Sequence, residues 1–244
     1  MTIVMKQSRL ILAMLLLFVM QLSGACVINP FAVEGSGKQI SEDRQVSAFK
    51  AIDISGGFEV ELIQSEAESL TIEADDNLMK LIKTEVMNGE LKISLSEPVR
   101  NVKKLKAIIT FRQLEVIDIS GAVRIKGINA MNFEKLSIDA SGASEINLNL
   151  MANSLEMDLS GASKTSLNGK VDMVRADCSG ASKFYAGDLE TSSFSFEASG
   201  ASFAELWVKD RLSVDASGAS KVRYKGQPAN IEKNTSGASS VKEM

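Results

Sequence analysis

The sequence predicts an all-β fold, a parallel β-solenoid with coils of about 19 residues and a more irregular β-rich portion on its N-terminal side. Three observations predict it. The tetrapeptide Ser-Gly-Ala-Ser begins at Ser141, Ser160, Ser179, Ser199, Ser217 and Ser236, with a variant, Ser-Gly-Ala-Val, at Ser120; successive steps are 21, 19, 19, 20, 18 and 19 residues. Counted from the first Ser of each copy, positions −5, −3 and −1 are mostly apolar, as in Leu136, Ile138 and Ala140 or Phe194, Phe196 and Ala198. Positions +5 and +7 are largely apolar again, as in Ile146 and Leu148, so each copy holds two arms with the period of two that belongs to a strand, not the 3.6 of a helix. Third, glycine stands at +1 in every copy, where a corner needs positive φ or close coil-to-coil approach. With strand neighbours about 4.8 Å apart, six steps make a rod roughly 29 Å long.

Taken in chain order, Lys6 and Arg9 precede the apolar run from Leu10 to Met20, and Ser23, Gly24 and Ala25 lead to Cys26. Residues 1–25 thus read as an export signal, too short for a comfortable membrane span. Leu22-Ser23-Gly24-Ala25-Cys26 resembles a bacterial lipobox, although Ser23 stands where the commonest form has leucine. Cys26 is accordingly the expected lipid attachment site and membrane anchor, and Val27 after it, rather than an acidic residue, points to an outer-membrane lipoprotein facing the periplasm or the cell surface. Ser23 and Ala25 also satisfy an ordinary cleavage rule, which leaves a soluble periplasmic or secreted product as the alternative. Residues 26–45, polar and Gly/Ser-containing from Pro30 to Gln45, read as a tether.

Residues 46–116 form the irregular part. Strand-like runs cover Phe58 to Gln64, Leu70 to Ala74, Leu91 to Leu95 and Leu105 to Phe111, with Asn88-Gly89 as a hairpin turn and one or two helical turns from Asn77 to Lys83. Asp53-Ile54-Ser55-Gly56 looks like an early copy of the corner, 65 residues ahead of Ser120, so this region is expected to be elaborated coil that also caps one end. Residues 117–244 are the regular repeats. In them the alanine at +2 and the serine at +3 stack on copies of themselves, the hydroxyls bonding to neighbouring backbone.

Composition excludes several functions. A net charge of −4 with pI near 5.2 leaves no general basic footprint for nucleic acid. The chain contains no histidine, so the repeated serines lack a base and read as structural; no catalytic residue and no cofactor is expected. Cys178 occupies an inward −1 position as a small buried hydrophobe, and two cysteines make neither a disulfide framework nor a cysteine metal site.

Two outward features could carry function. Position −2 is acidic in nearly every copy: Asp53, Asp118, Asp139, Asp158, Asp177, Glu197 and Asp215, with Asn234 last. Stacked in register, each neighbouring pair repels by about 0.9 kcal/mol in bulk water. One reading has each Asp accept hydrogen bonds from its own Ser-Gly corner, which would lower its pKa. The other is a row of weak calcium sites at Asp139, Asp158, Asp177, Glu197 and Asp215. The second feature places Lys183 and Tyr185, then Phe203 and Trp207, then Lys221, Arg223 and Lys225 on outward positions of adjacent coils. Aromatic rings beside cations can stack on sugars and attract acidic polysaccharide; the alternative is packing against the chain's own terminus or a second copy.

Phe49-Lys50-Ala51-Ile52-Asp53-Ile54-Ser55-Gly56, Ile72-Glu73-Ala74-Asp75-Asp76-Asn77, Leu91-Lys92-Ile93 and the string of corners ending near Tyr224-Lys225-Gly226-Gln227-Pro228 resemble the auto-transporter adhesin head, or GIN, domain of bacterial envelope proteins. The resemblance covers residues 46 to 241 and implies a right-handed β-helical fold on exported proteins, often lipoproteins, with no catalytic residues to carry over. Three classes of function then compete. They are an envelope binding or adhesin-like module for a polysaccharide or an envelope protein, a self-associating structural or maintenance scaffold, and a β-helical polysaccharide lyase. Short coils without long insertions leave the lyase little material for a cleft.

Overall fold

The structure is a computed structural model that describes residues 30–244, so the export signal and Cys26 lie outside the described residues. Its first strands are β1 (Val33–Glu34) and β2 (Gln39–Arg44). After them come β3 (Ala51–Gly56), β4 (Glu59–Gln64), β5 (Ser69–Asp75), a 3-10 turn at Met79–Leu81, β6 (Ile82–Met87), β7 (Glu90–Leu95), β8 (Val99–Arg100) and β9 (Leu105–Phe111). Four of these are the strands the alternation anticipates, and the 3-10 turn stands where a helical turn is expected. Asn88 and Gly89, at φ 53° and 77°, close the antiparallel hairpin of β6 and β7, as an Asn-Gly turn with two positive φ angles should.

The tether expected over residues 26–45 is corrected from residue 33 onward. β1 pairs with β8, and β2 runs antiparallel along β5 from Gln39 opposite Asp75 to Arg44 opposite Leu70. The physical cause is a clasp built from Asp75-Asp76-Asn77. The fully buried Asp75 carboxylate accepts the backbone N–H groups of Gly37 (3.1 Å), Lys103 (3.3 Å) and Lys104 (3.1 Å). Ser36 donates its hydroxyl to Asp76 at 2.6 Å and its N–H to Asn77 at 2.9 Å, while the Asn77 amide donates to the Glu34 carbonyl at 2.7 Å. A polar segment reads as linker by composition, yet here its backbone finds partners some 40 residues away.

β10 (Val116–Gly121) and β11 (Arg124–Gly127) restart the pattern. β10 lies parallel to β3 with Asp53 opposite Asp118, Ser55 opposite Ser120 and Gly56 opposite Gly121, so residues 57–115 are one elaborated coil inserted between successive corners. Within it, β7 and β9 return parallel to β3 and β4, and β5 and β6 add antiparallel strands beyond them; β2, from the preceding segment, pairs with β5. The regular coils follow as β12 (Met131–Ala140), β13 (Glu145–Leu159), β14 (Lys164–Cys178), β15 (Lys183–Ala198), β16 (Phe203–Ala216), β17 (Lys221–Lys225), β18 (Asn230–Thr235) and β19 (Ser240–Glu243). Their ladders are parallel, and from β13 to β16 each strand runs from one corner to the next. The inward rows form a single apolar core; in it Phe184 meets Phe194 edge to face at 6.0 Å. Cys178 is fully buried in that core, and burial pushes its thiol pKa up to about 12, so it behaves as a small hydrophobe.

At the corners both reasons for glycine operate together. Gly161 has φ 78°, and a Cβ there would lie 2.4 Å from the Gly142 carbonyl oxygen of the preceding coil. That approach lets the hydrogen-bond ladder continue round the bend: Ala162 N–H donates to Gly142 at 2.8 Å and Ala181 N–H to Gly161 at 2.8 Å. The +3 serines are buried and structural. Ser163, Ser182 and Ser202 donate their hydroxyls to the carbonyls of Ser160, Ser179 and Ser199 at 2.7, 2.8 and 2.9 Å. The +2 alanines differ from expectation only in facing solvent.

Candidate functional site

Strand alternation turns positions +4, +6 and +8 outward on β15, β16 and β17, and parallel pairing then sets like positions side by side. Lys183, Phe203 and Lys221 form one row. Tyr185, Glu205 and Arg223 form the next, and Trp207 stands beside Lys225 in a third. All seven residues anticipated for a ligand patch are thus brought to one face across three coils. The Tyr185 and Phe203 rings lie 5.7 Å apart at 54°, and the Lys225 ammonium sits 4.7 Å over the Trp207 ring, 3.8 Å from Asp188. One face of Trp207 is therefore already occupied by a cation. Glu205, at the middle of the second row, belongs to this surface as well. Its outward +6 position was legible in the repeat, but its place between Tyr185 and Arg223 needed the register.

The combination of rings with unpaired cations singles out these coils. Earlier on the same face three of the cations are tied to carboxylates, Lys106 to Glu61 at 2.9 Å, Arg124 to Glu59 at 3.7 Å and Lys164 to Glu145 at 2.9 Å, while Lys126 stands alone among the described residues. Lys183, Lys221 and Arg223 likewise make no ion pair among the described residues. An open groove of about 720 Å³ lies elsewhere, on the elaborated coil beside Leu95, Pro98, Arg100 and Arg124. Its arginines are neutralised, Arg100 by Glu34 at 3.0 Å and Arg124 by Glu59.

The acidic row is in register from Asp53 through Asp118, Asp139, Asp158, Asp177, Glu197 and Asp215 to Asn234. Its expected explanation is corrected. Among the described residues no corner N–H bonds to these carboxylates; the ladder across each corner uses the N–H groups of its first Ser and its Ala. Partial burial, and then the neighbouring carboxylates, push the pKa values of Asp118, Asp139 and Asp177 up, opposite to the lowering that corner hydrogen bonds would cause. Cations relieve the row at two places: Lys92 lies 3.2 Å from Asp53, and Arg175 lies 3.2 Å from Glu197. Asp139, Asp158, Asp177, Glu197 and Asp215 make a line with one carboxylate per coil. Among the described residues no three His, Cys, Asp or Glu side chains converge on a point where a metal ion could sit.

The sequence pattern of the family described as "Putative auto-transporter adhesin, head GIN domain" matches residues 48–228. A solved structure of a putative adhesin from Bacteroides fragilis is similar, at 25% identity and a TM-score of 0.82 over 87% of this chain and 100% of that one. A putative lipid binding protein from Parabacteroides distasonis shares the fold at 20% identity, with a TM-score of 0.71 over 87% and 99% of the two chains. A putative adhesin from Parabacteroides merdae does so at 19% identity and 0.66, over 88% and 99%. No curated protein matches the chain. The relatives' description as adhesins, not enzymes, fits an extracellular or envelope protein, and no helix among the described residues is long and apolar enough to cross a membrane. On the strength of a match spanning most of its length, this chain belongs to the adhesin head GIN domain family.

Proposed function

We propose that the protein is a non-enzymatic, adhesin-like binding module of the cell envelope whose outward face on β15, β16 and β17 holds an anionic polysaccharide. One observation carries this reading: three cations without an ion pair among the described residues, Lys183, Lys221 and Arg223, cluster around half-buried aromatic rings on adjacent coils. Unpaired cations attract acidic groups, and rings give sugars an apolar surface to stack on. Each exposed contact is worth only about 0.5–1 kcal/mol, so binding is weak per site and gains strength from many copies on one surface. The signal pattern and Cys26 would supply that surface through a lipid anchor.

The scaffold reading is disfavoured by the last described coil. Its inward positions turn polar at Lys233 and Thr235, and the Lys233 ammonium covers the Tyr224 ring at 4.4 Å and donates to its hydroxyl at 2.8 Å. A charge set among these inward positions, beside Ile231 and Val241, makes a poorer surface for another copy to stack on than a wholly apolar row.

The test is binding of acidic and neutral polysaccharides to the exported protein and to a Lys183→Gln, Lys221→Gln, Arg223→Gln triple variant. The wild type should bind the acidic polymers and the variant should lose that binding with an unchanged melting temperature. Equal binding by both would refute the site, and selective binding to anionic lipid vesicles instead would replace the ligand. Membrane fractionation of Cys26→Ala, expected to release a folded protein from membranes, tests the anchor.

A further inference from the structure

Resting on that reading, we propose that the face is specific for the spacing of charge along its ligand. The occupant is a linear polysaccharide in which a uronic acid alternates with an uncharged sugar, lying parallel to the solenoid axis across β15, β16 and β17. Lys183 and Lys221 occupy one row two coils apart, which sets their backbones roughly 9.6 Å apart, with Phe203 between them. A pyranose advances a linear glycan by about the spacing of one strand, ~5 Å. A chain laid along the row therefore places one sugar on Phe203 and the carboxylates of its two neighbours at Lys183 and Lys221.

Arg223 lies two residues beyond Lys221 on the same side of β17, where its guanidinium can fork onto the same carboxylate. Glu205 decides what the central sugar is. It stands two residues beyond Phe203 on the same side of β16, in the row between Tyr185 and Arg223, and no described cation pairs with it. A uronate over Phe203 would bring a second carboxylate against Glu205, whereas an uncharged sugar offers hydroxyls that a carboxylate accepts as hydrogen bonds. Attraction at both ends and repulsion at the centre select alternation, which neither feature alone would do. Trp207, with Lys225 over its ring, walls the site rather than carrying a sugar.

The test compares hyaluronan octasaccharide, which alternates, with an octamer of polygalacturonate, charged on every sugar, by calorimetry at low and physiological salt. The alternating octamer should bind the wild type roughly fourfold more tightly, the cost of one like-charge contact. Lys183→Gln and Lys221→Gln should each weaken it about threefold. Glu205→Gln should abolish the discrimination, raising polygalacturonate affinity about fourfold relative to that of hyaluronan, an effect no merely structural role would produce. Equal or tighter binding of polygalacturonate by the wild type, still lost in the lysine variants, would overturn the spacing while leaving an acidic-glycan site in place. Failure of both octamers to bind would overturn the spacing and the site together.

Discussion

The regular coils and the elaborated coil at residues 57–115 achieve the same stacking by opposite means. From Ser120 onward each row repeats itself: Gly on Gly, Asp on Asp, Ser on Ser. A slip of one residue would carry every apolar side chain to the wrong face, so register is enforced at every coil. In the elaborated coil the rows are interrupted, and order rests on a few long-range polar clasps. Asp75 gathers three backbone N–H groups. Gln64 exchanges hydrogen bonds with Asn129 at 3.1 and 2.9 Å and with Asn132 at 2.9 and 2.7 Å. Repetition spreads specification over many small, similar contacts; its absence concentrates it in single side chains.

The sharpest way to break this comparison is at a corner, where repetition admits no substitute. Gly161→Val puts a β-branched residue at positive φ and against the Gly142 carbonyl, and should cost more than about 4 kcal/mol in denaturant melts. Ser163→Ala, two residues on, loses the hydroxyl bond to Ser160 and the one accepted from Ser144, and should cost about 2 kcal/mol. Similar stability for the two variants would show that close glycine stacking is not what holds the coils. Next in size, Asp75→Ala removes a buried carboxylate that three part-buried N–H groups share and should cost about 3 kcal/mol. Hydrogen exchange should show the loss confined to residues 33–44 and 101–104; spreading into the regular coils would erase the distinction between the two regions.

A smaller effect has the opposite sign. Thr165 sits in the inward row between Ile146 and Phe184, and its hydroxyl is buried without a hydrogen-bond partner. Thr165→Val keeps the shape and should stabilise the fold by about 1 kcal/mol. Smallest is Asp158→Asn, which removes repulsion toward Asp139 and Asp177 and should stabilise by at most ~1 kcal/mol at low salt and by nothing measurable at high salt. The pH dependence has a definite sign. Asp118, Asp139 and Asp177 bind protons more readily folded than unfolded, so the stability they contribute is fully present below the ordinary value of 3.8 and is lost as pH rises through their raised pKa values. Asp139→Asn with Asp177→Asn should flatten stability over that range; an unchanged slope would place the titration elsewhere.

What the sequence determined by itself is whatever recurs with the coil. The corner glycines, the inward rows, the buried serines and the outward placement of Lys183, Tyr185, Phe203, Trp207, Lys221, Arg223 and Lys225 all follow from a period of two broken at regular intervals, because in a strand the period alone decides which side a residue faces. What only the tertiary structure decided is who stands beside whom. Coils of 18 to 21 residues do not align by counting, and a bulge between Ala186 and Glu190 sets Glu190, not an earlier residue, opposite Trp207. The same dependence on neighbours made strands of Val33–Glu34 and Gln39–Arg44 instead of tether, left Lys183, Lys221 and Arg223 unpaired, placed Glu205 among them, and raised the pKa values of Asp118, Asp139 and Asp177 where local hydrogen bonding would have lowered them. Charge and hydrogen bonding act across the 4.8 Å between coils, a distance that spans about 19 residues of sequence, so their outcome is fixed only when the coils are stacked.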